Sequence, residues 1–108
     1  MLATAVMLMD ISEIKIRERS WKAKLAARWL GVDNVAFTLG KTIHLYNATA
    51  QEFLHDARWV KHELKHVEQF KRYGFIPFIA RYTIETIKRG YRNNKYEVEA
   101  RRAEQEMS

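Results

Sequence analysis

The sequence predicts an α+β domain: a small antiparallel β-hairpin or sheet near the amino terminus, followed by helices, about four in all. Three observations predict it. Short alternating or β-branched runs are confined to residues 14–46, and helical spacing with recognisable caps takes over from Thr49 onward. The chain has 108 residues, enough for one core but not for two.

Each element has its own signal. Ile14, Lys15, Ile16 and Arg17 alternate apolar and polar residues, the period of a short strand. Ser20 then suits an N-cap, Trp21, Leu25 and Trp29 share one face, and Gly31 is a stop, so residues 1–34 hold a strand and a short amphipathic helix. In "NVAFTLGKTIHLYNA" two β-leaning runs, 35–38 and 42–46, flank Gly40, which can take the positive φ of a tight turn. Residues 35–46 therefore read as a hairpin.

Thr49 and Glu52 have capping-box spacing and open a helix over 49–73, stopped by Gly74. Pro77 suits the first turn of a further helix over 77–89, ending at Gly90. A polar turn with a cap at Asn93 and Asn94 leads into a last helix over 94–107, where Tyr96, Ala100, Ala103 and Met107 fall at helical spacing. No linker or repeat interrupts this order, so 1–108 reads as one domain.

Composition narrows the function. Hydrophobic residues at 47% and charged ones at 30% exclude a disordered or collagen-like chain. With no cysteine there is neither a disulfide framework nor a thiolate metal site, so any metal must be held by His, Asp or Glu. The formal charge is +6, with 12 of the 19 Lys and Arg from Arg58 onward, but acidic residues are interleaved and a solvated surface explains the excess. The opening "MLATAVMLM" lacks a basic flank and is too short to span a bilayer. It reads as a buried first strand or helix, and a cytoplasmic location is the corresponding expectation.

The chemistry concentrates in "HELKH". His62 and His66 are four apart, so on a helix both imidazoles project from one face and can grip one ion. Glu63 lies about 100° round from His62, where its carboxylate can take a proton from water without being a ligand. This is the H-E-x-x-H arrangement of zinc hydrolases. Phe53, Ala57, Val60, Leu64 and Val67 form a core stripe on the same predicted helix, and both histidines fall opposite it. Trp59 and Phe70 share the histidines' side, so the helix is expected to be buried on both sides, with the histidines facing a cleft.

Catalytic zinc normally has three protein ligands. No histidine follows His66, and the final segment offers Glu97, Glu99, Glu104 and Glu106. About Tyr96, Glu97 lies roughly 100° to one side and Glu99 roughly 60° to the other, so periodicity leaves both open.

"AFTLGKTIHL" followed by "HELKHVEQF" resembles the small metallopeptidase-like domain of bacterial contractile-injection-system core proteins, with its H-E-L-x-H-x-x-Q pattern. The order is also similar to a minimal gluzincin, the zincin clan whose third ligand is a glutamate on a later helix. That resemblance implies Glu97, which opens Glu97-Val98-Glu99-Ala100, with Glu99 as the alternative. It also implies an Asp where this chain has Arg101, so a carboxylate that usually orients a ligand histidine is missing there. Gln69 completes the H-x-x-Q pattern in a hydrogen-bonding role. A strand of the hairpin, Ala36, Phe37 and Thr38 or alternatively Ile43, His44 and Leu45, would bind extended peptide by strand addition.

Other residues attract attention without a role. His55 lies seven residues before His62, roughly 10 Å along a helix, too far to share its metal. His44 reads as a polar surface residue of the hairpin. Tyr82, Tyr91 and Tyr96 could each donate to an oxyanion, but core packing is their default.

The expected function is a zinc-dependent peptidase: His62, His66 and Glu97 hold Zn2+, Glu63 activates water, and a peptide or protein is the substrate. A zinc-binding scaffold without turnover is the first alternative. A basic helical module for nucleic acid or an anionic membrane is the second, and neither nucleic acid nor a membrane span is expected on the main reading.

Overall fold

The computed structural model describes residues 13–106. Both the opening "MLATAVMLM" and Met107, read above as structured, lie outside them. Eight elements follow in order: β1 (Lys15–Arg17), α1 (Trp21–Leu30), β2 (Val35–Leu39), β3 (Thr42–Tyr46), α2 (Ala50–Leu54), α3 (Ala57–Tyr73), α4 (Phe75–Asn93) and α5 (Lys95–Ala103). The α+β class is as the sequence predicts, with five helices.

The sheet has the order β1-β3-β2. β2 and β3 form the expected hairpin, Thr38 opposite Ile43, through a turn at Gly40 with φ of 63°. β1 runs parallel to β3, so the sheet is mixed rather than purely antiparallel. Helix α1 carries the chain from the β1 edge of the sheet to the β2 edge, where β2 runs opposite to β1, and the hairpin then reverses it so that β3 lies parallel to β1. Among the described residues both β1 and β2 are edge strands.

Helix α1 starts and stops where its caps predict. Ser20 Oγ accepts from Ala23 N–H, and Gly31 takes the left-handed conformation, φ 72°. Its orientation is the surprise. Ala23 and Ala27 are buried against the sheet, whereas the Trp21, Leu25 and Trp29 stripe faces outward. Alanines allow the helix to approach the sheet closely; bulky rings there would hold it off.

The predicted helix 49–73 is two helices. Thr49 and Glu52 make the capping box that opens α2, but Asp56 is extended and its carboxylate accepts from Trp59 N–H, starting α3 afresh. An aspartate cap satisfies a terminal N–H that a continuous helix would not leave exposed, so the local signal wins at the bend. Ala57, placed in the core stripe by periodicity, is consequently exposed at the start of α3.

Val60, Leu64 and Val67 of α3 pack with Phe53, Ile43 and Leu45 into one cluster. Trp59 joins this cluster, 5.4 Å from Phe53 ring to ring, and so does not flank the histidines as expected. A second cluster forms on the other side of α3 from Phe70, Phe78 and Tyr96. Phe70 and Phe78 meet edge to face at 4.7 Å, a contact worth about 1 kcal/mol beyond area burial. Burial on two sides is thus real for α3, and it fixes the helix between the sheet and the carboxy-terminal pair.

A single residue, Gly74 with φ of 90°, joins α3 to α4, so α4 begins at Phe75, two residues before the predicted start. Gly90, φ 80°, breaks the helical path where a stop was predicted, and one further turn follows it. Asn94 is fully buried and caps α5 by accepting from Tyr96 N–H, while its amide donates to Tyr82 O and Thr86 Oγ1. This residue locks α5 onto α4. Among the described residues no helix is long and apolar enough to cross a membrane.

Candidate metal centre

α3, α4 and α5 converge on one cluster. His62 and His66 stand on successive turns of α3, ring centroids 5.0 Å apart. Glu97 enters from the first turn of α5, its position set by the Asn94 cap three residues earlier. His62 Nε2 is 3.1 Å from Glu97 Oε1 and His66 Nε2 is 3.3 Å from Glu97 Oε2. One ligand atom from each of the three residues lies within 4.8 Å of the other two.

The remaining imidazole nitrogens are held from behind. His62 Nδ1 is 2.7 Å from Glu104 Oε2, and His66 Nδ1 is 2.9 Å from Gln69 Oε1. Gln69 Nε2 donates to Tyr96 O and Glu99 Oε1, which turns its oxygen toward His66 and makes that nitrogen the donor. Glu104 can only accept, so His62 Nδ1 also carries a proton. Both rings therefore keep Nδ1–H bonded from behind and aim Nε2 at Glu97, so Nε2 is the nitrogen a metal would take once its proton is displaced.

Charge agrees with the geometry. Burial disfavours charge on His62 and His66, but the carboxylates around them, Glu97 first and then Glu63 with Glu104 at His62, together outweigh it and raise both, His66 to about 9. Burial would likewise raise Glu97, yet the two imidazoles hold it well below the usual carboxylate range. The cluster is a buried anion waiting between two cations, the electrostatics a divalent ion can replace.

Two imidazoles and one carboxylate fit zinc by donor type. Donor atoms sharing one tetrahedral zinc sit roughly 3.3 Å apart; each imidazole is that close to one oxygen of Glu97, and the three-atom set spans no more than 4.8 Å. A cleft of about 270 Å³ opens beside them, walled by β2, by Phe70 of α3, by Phe78, Ile79 and Tyr82 of α4, and by Trp29 of α1.

Glu63 also borders this cleft. It is buried, and Thr38 Oγ1 donates to its Oε1 at 2.7 Å. Burial raises its affinity for a proton, and the neighbouring histidines and Thr38 offset this only in part. Thr38 stands on β2, whose outer edge pairs with no other strand among the described residues, and it lines the cleft together with Ala36 and Phe37.

The residues predicted from sequence divide clearly. His62, Glu63, His66, Glu97 and Thr38 are brought together, and Gln69 orients His66. Glu99 instead binds Gln69 and stays outside the cluster. His55 lies exposed, its Nδ1 on Gln51 O. His44 is a correction: it is buried rather than on the surface, 2.8 Å from Ser20 Oγ, because β1 and α1 cover that side of β3. Ile43 and Leu45 are likewise covered in the core, which leaves β2 as the strand at the cleft. Tyr82 hydroxyl donates to Glu97 Oε2, Tyr91 borders the cleft, and Tyr96 is buried in the aromatic cluster.

Periodicity assigned no role to Glu104. The missing signal was spacing: it follows Glu97 by seven residues, two helical turns, and so returns to the same face.

These features define a small α+β domain whose H-E-x-x-H helix is buried against a glutamate from the last helix. The chain belongs to the eCIS core domain family, whose model matches residues 3–74. That stretch carries the hairpin and the whole of α3 but ends before α4 and α5, so Glu97, Tyr82 and Glu104 lie beyond it. No curated protein and no solved structure matches the chain.

Proposed function

We propose that this domain is a zinc-dependent peptidase of gluzincin type, acting on protein or extended peptide within the contractile-injection context of its family. The observation that carries this reading is the meeting of His62, His66 and Glu97 ligand atoms within 4.8 Å, with Glu63 beside them on the same helix.

Zinc held by these three residues supplies Lewis-acid chemistry, polarising a carbonyl and making water acidic enough to react at neutral pH. The chain's own groups do the rest. Glu63 Oε accepts a proton from the attacking water and passes it to the leaving amine, and its raised proton affinity suits that task. Thr38 fixes the carboxylate through its hydroxyl. The edge of β2 at Ala36, Phe37 and Thr38, which no other described strand pairs, takes substrate backbone and so aligns the scissile bond without reading sequence. Tyr91 borders the cleft and can donate to charge developing on the carbonyl oxygen, while the Tyr82 hydroxyl is engaged in holding Glu97.

A zinc scaffold without turnover is the competing reading, favoured by the way the three ligands tie α3 to α5. The test is Glu63→Gln, assayed against a peptide library with zinc content measured in parallel. The peptidase reading requires wild-type cleavage that falls by about a hundredfold or more in the variant while zinc is retained. Zinc bound stoichiometrically by a wild type that cleaves nothing would leave the scaffold.

A further inference from the structure

Helix α1 presents its largest side chains to solvent. Trp21 and Trp29 each keep 67% of their surface exposed and Leu25 keeps 56%. At about 100° per residue, these three occupy one stripe about 80° wide. Arg28 and Lys24 lie along one flank of the stripe and Lys22 along the other, and α1 contains no acidic residue.

The stripe runs into a groove at the amino end of α1, walled by Arg17, Arg19, Trp21, Lys22, His44 and Phe75. Glu18 also lines it, but its carboxylate accepts from Ala50 N–H at 2.7 Å. Among the described residues, no carboxylate forms an ion pair with Arg17, Arg19, Lys22, Lys24 or Arg28. The surface thus combines aromatic and aliphatic tips with positive charge that no described carboxylate pairs.

Each half of that combination limits what can cover it. Cations alone would suit any polyanion, but a nucleic-acid backbone leaves Leu25 and the outer edges of both indoles in water. Tryptophan rings flanked by Lys and Arg suit the headgroup region of a bilayer, where the ring body meets acyl chains and the cations meet phosphate. The stripe from Trp21 to Trp29 is about 12 Å long and lies along the helix axis, a shape for resting in the interface rather than crossing it.

We infer that α1 and the groove beside it form a docking surface for an anionic lipid bilayer. Trp21, Leu25 and Trp29 enter the headgroup–acyl boundary, and Arg17, Arg19 and Lys22 meet lipid phosphate and carboxylate groups. Trp29 also lines the mouth of the cleft, so docking holds that mouth close to the membrane surface. This surface is separate from the metal cluster and does not depend on the peptidase reading.

Co-sedimentation of the full chain with vesicles tests it, using phosphatidylcholine alone and phosphatidylcholine containing phosphatidylserine, at low and high salt with chelator present. The wild type is expected to pellet with the serine-containing vesicles only, to be released by salt, and to shift its tryptophan emission to the blue. Arg17→Glu/Arg19→Glu/Lys22→Glu is expected to weaken binding by on the order of tenfold or more. Trp21→Ser/Leu25→Ser is expected to weaken it comparably, both variants keeping the wild-type circular dichroism. Wild type that stays in the supernatant without a blue shift overturns the proposal, as do folded variants that pellet like wild type. Capture of soluble polyglutamate with no binding to vesicles reassigns the surface to an acidic protein segment and also overturns it.

Discussion

Glu104 Oε2 lies 2.7 Å from Nδ1 of His62, on the side of the ring away from Glu97. Arg101 occupies the position where the resemblance to gluzincins calls for an aspartate. The carboxylate is supplied instead from Glu104, where the backbone still follows α5 at its C-cap. Three residues along a helix return to nearly the same face, so a carboxylate at 104 can reach the ring that one at 101 would have faced.

Glu104→Ala should therefore leave all three candidate ligands in place but free the His62 ring. Zinc affinity, measured by competition with a chromophoric chelator, is expected to fall about 10- to 100-fold. An unchanged affinity would mean that packing alone orients the imidazole.

Metal should also act as a clamp between α3 and α5. With zinc at about 100 times its Kd, unfolding is expected to cost about 2.7 kcal/mol more than in chelator. In Glu97→Ala the thermal shift produced by zinc should shrink sharply, because one of the two helices has lost its hold. Equal shifts in the two proteins, followed by scanning calorimetry, would place the bound ion elsewhere.

Asn94→Ala removes a fully buried cap together with both amide bonds to α4. A loss of about 2 kcal/mol in urea unfolding is expected, since a cap and buried partners go together. A loss under half a kcal/mol would show that α5 is held by its aromatic packing.

His44 gives the fold a pH dependence of known sign. Burial, then Lys22 and Arg17, lower its affinity for a proton in the folded chain from the ordinary 6.5. The unfolded chain then binds the extra proton first, so this contribution is present above about pH 6.5 and lost as pH falls toward the lowered folded value. Thermal melts of wild type and His44→Gln between pH 5 and 8, in chelator, isolate it by difference. Wild type should lose stability relative to the variant on acidification; parallel curves would contradict the buried neutral ring.

Local signals proved legible wherever the physics is local. Ser20, Thr49, Asn94, Gly31 and Gly40 announce caps and turns because hydrogen bonds to neighbouring N–H groups and the sign of φ depend on a few residues. His62, Glu63 and His66 were legible for the same reason, since one helix turn sets their relation. Asp56 shows the limit of periodicity: its stripe reads straight through a cap that ends one helix and starts another.

By itself the sequence determined an α+β domain with two imidazoles on one face of a long helix and a carboxylate about 100° round from the first. Only the tertiary structure decided that Glu97 rather than Glu99 meets them, that Glu104 and Gln69 stand behind them, and that α1 turns alanines inward and tryptophans out. Those choices depend on how far apart whole elements pack and on which polar groups must find partners once buried. Neither quantity is contained in the spacing of residues along one helix.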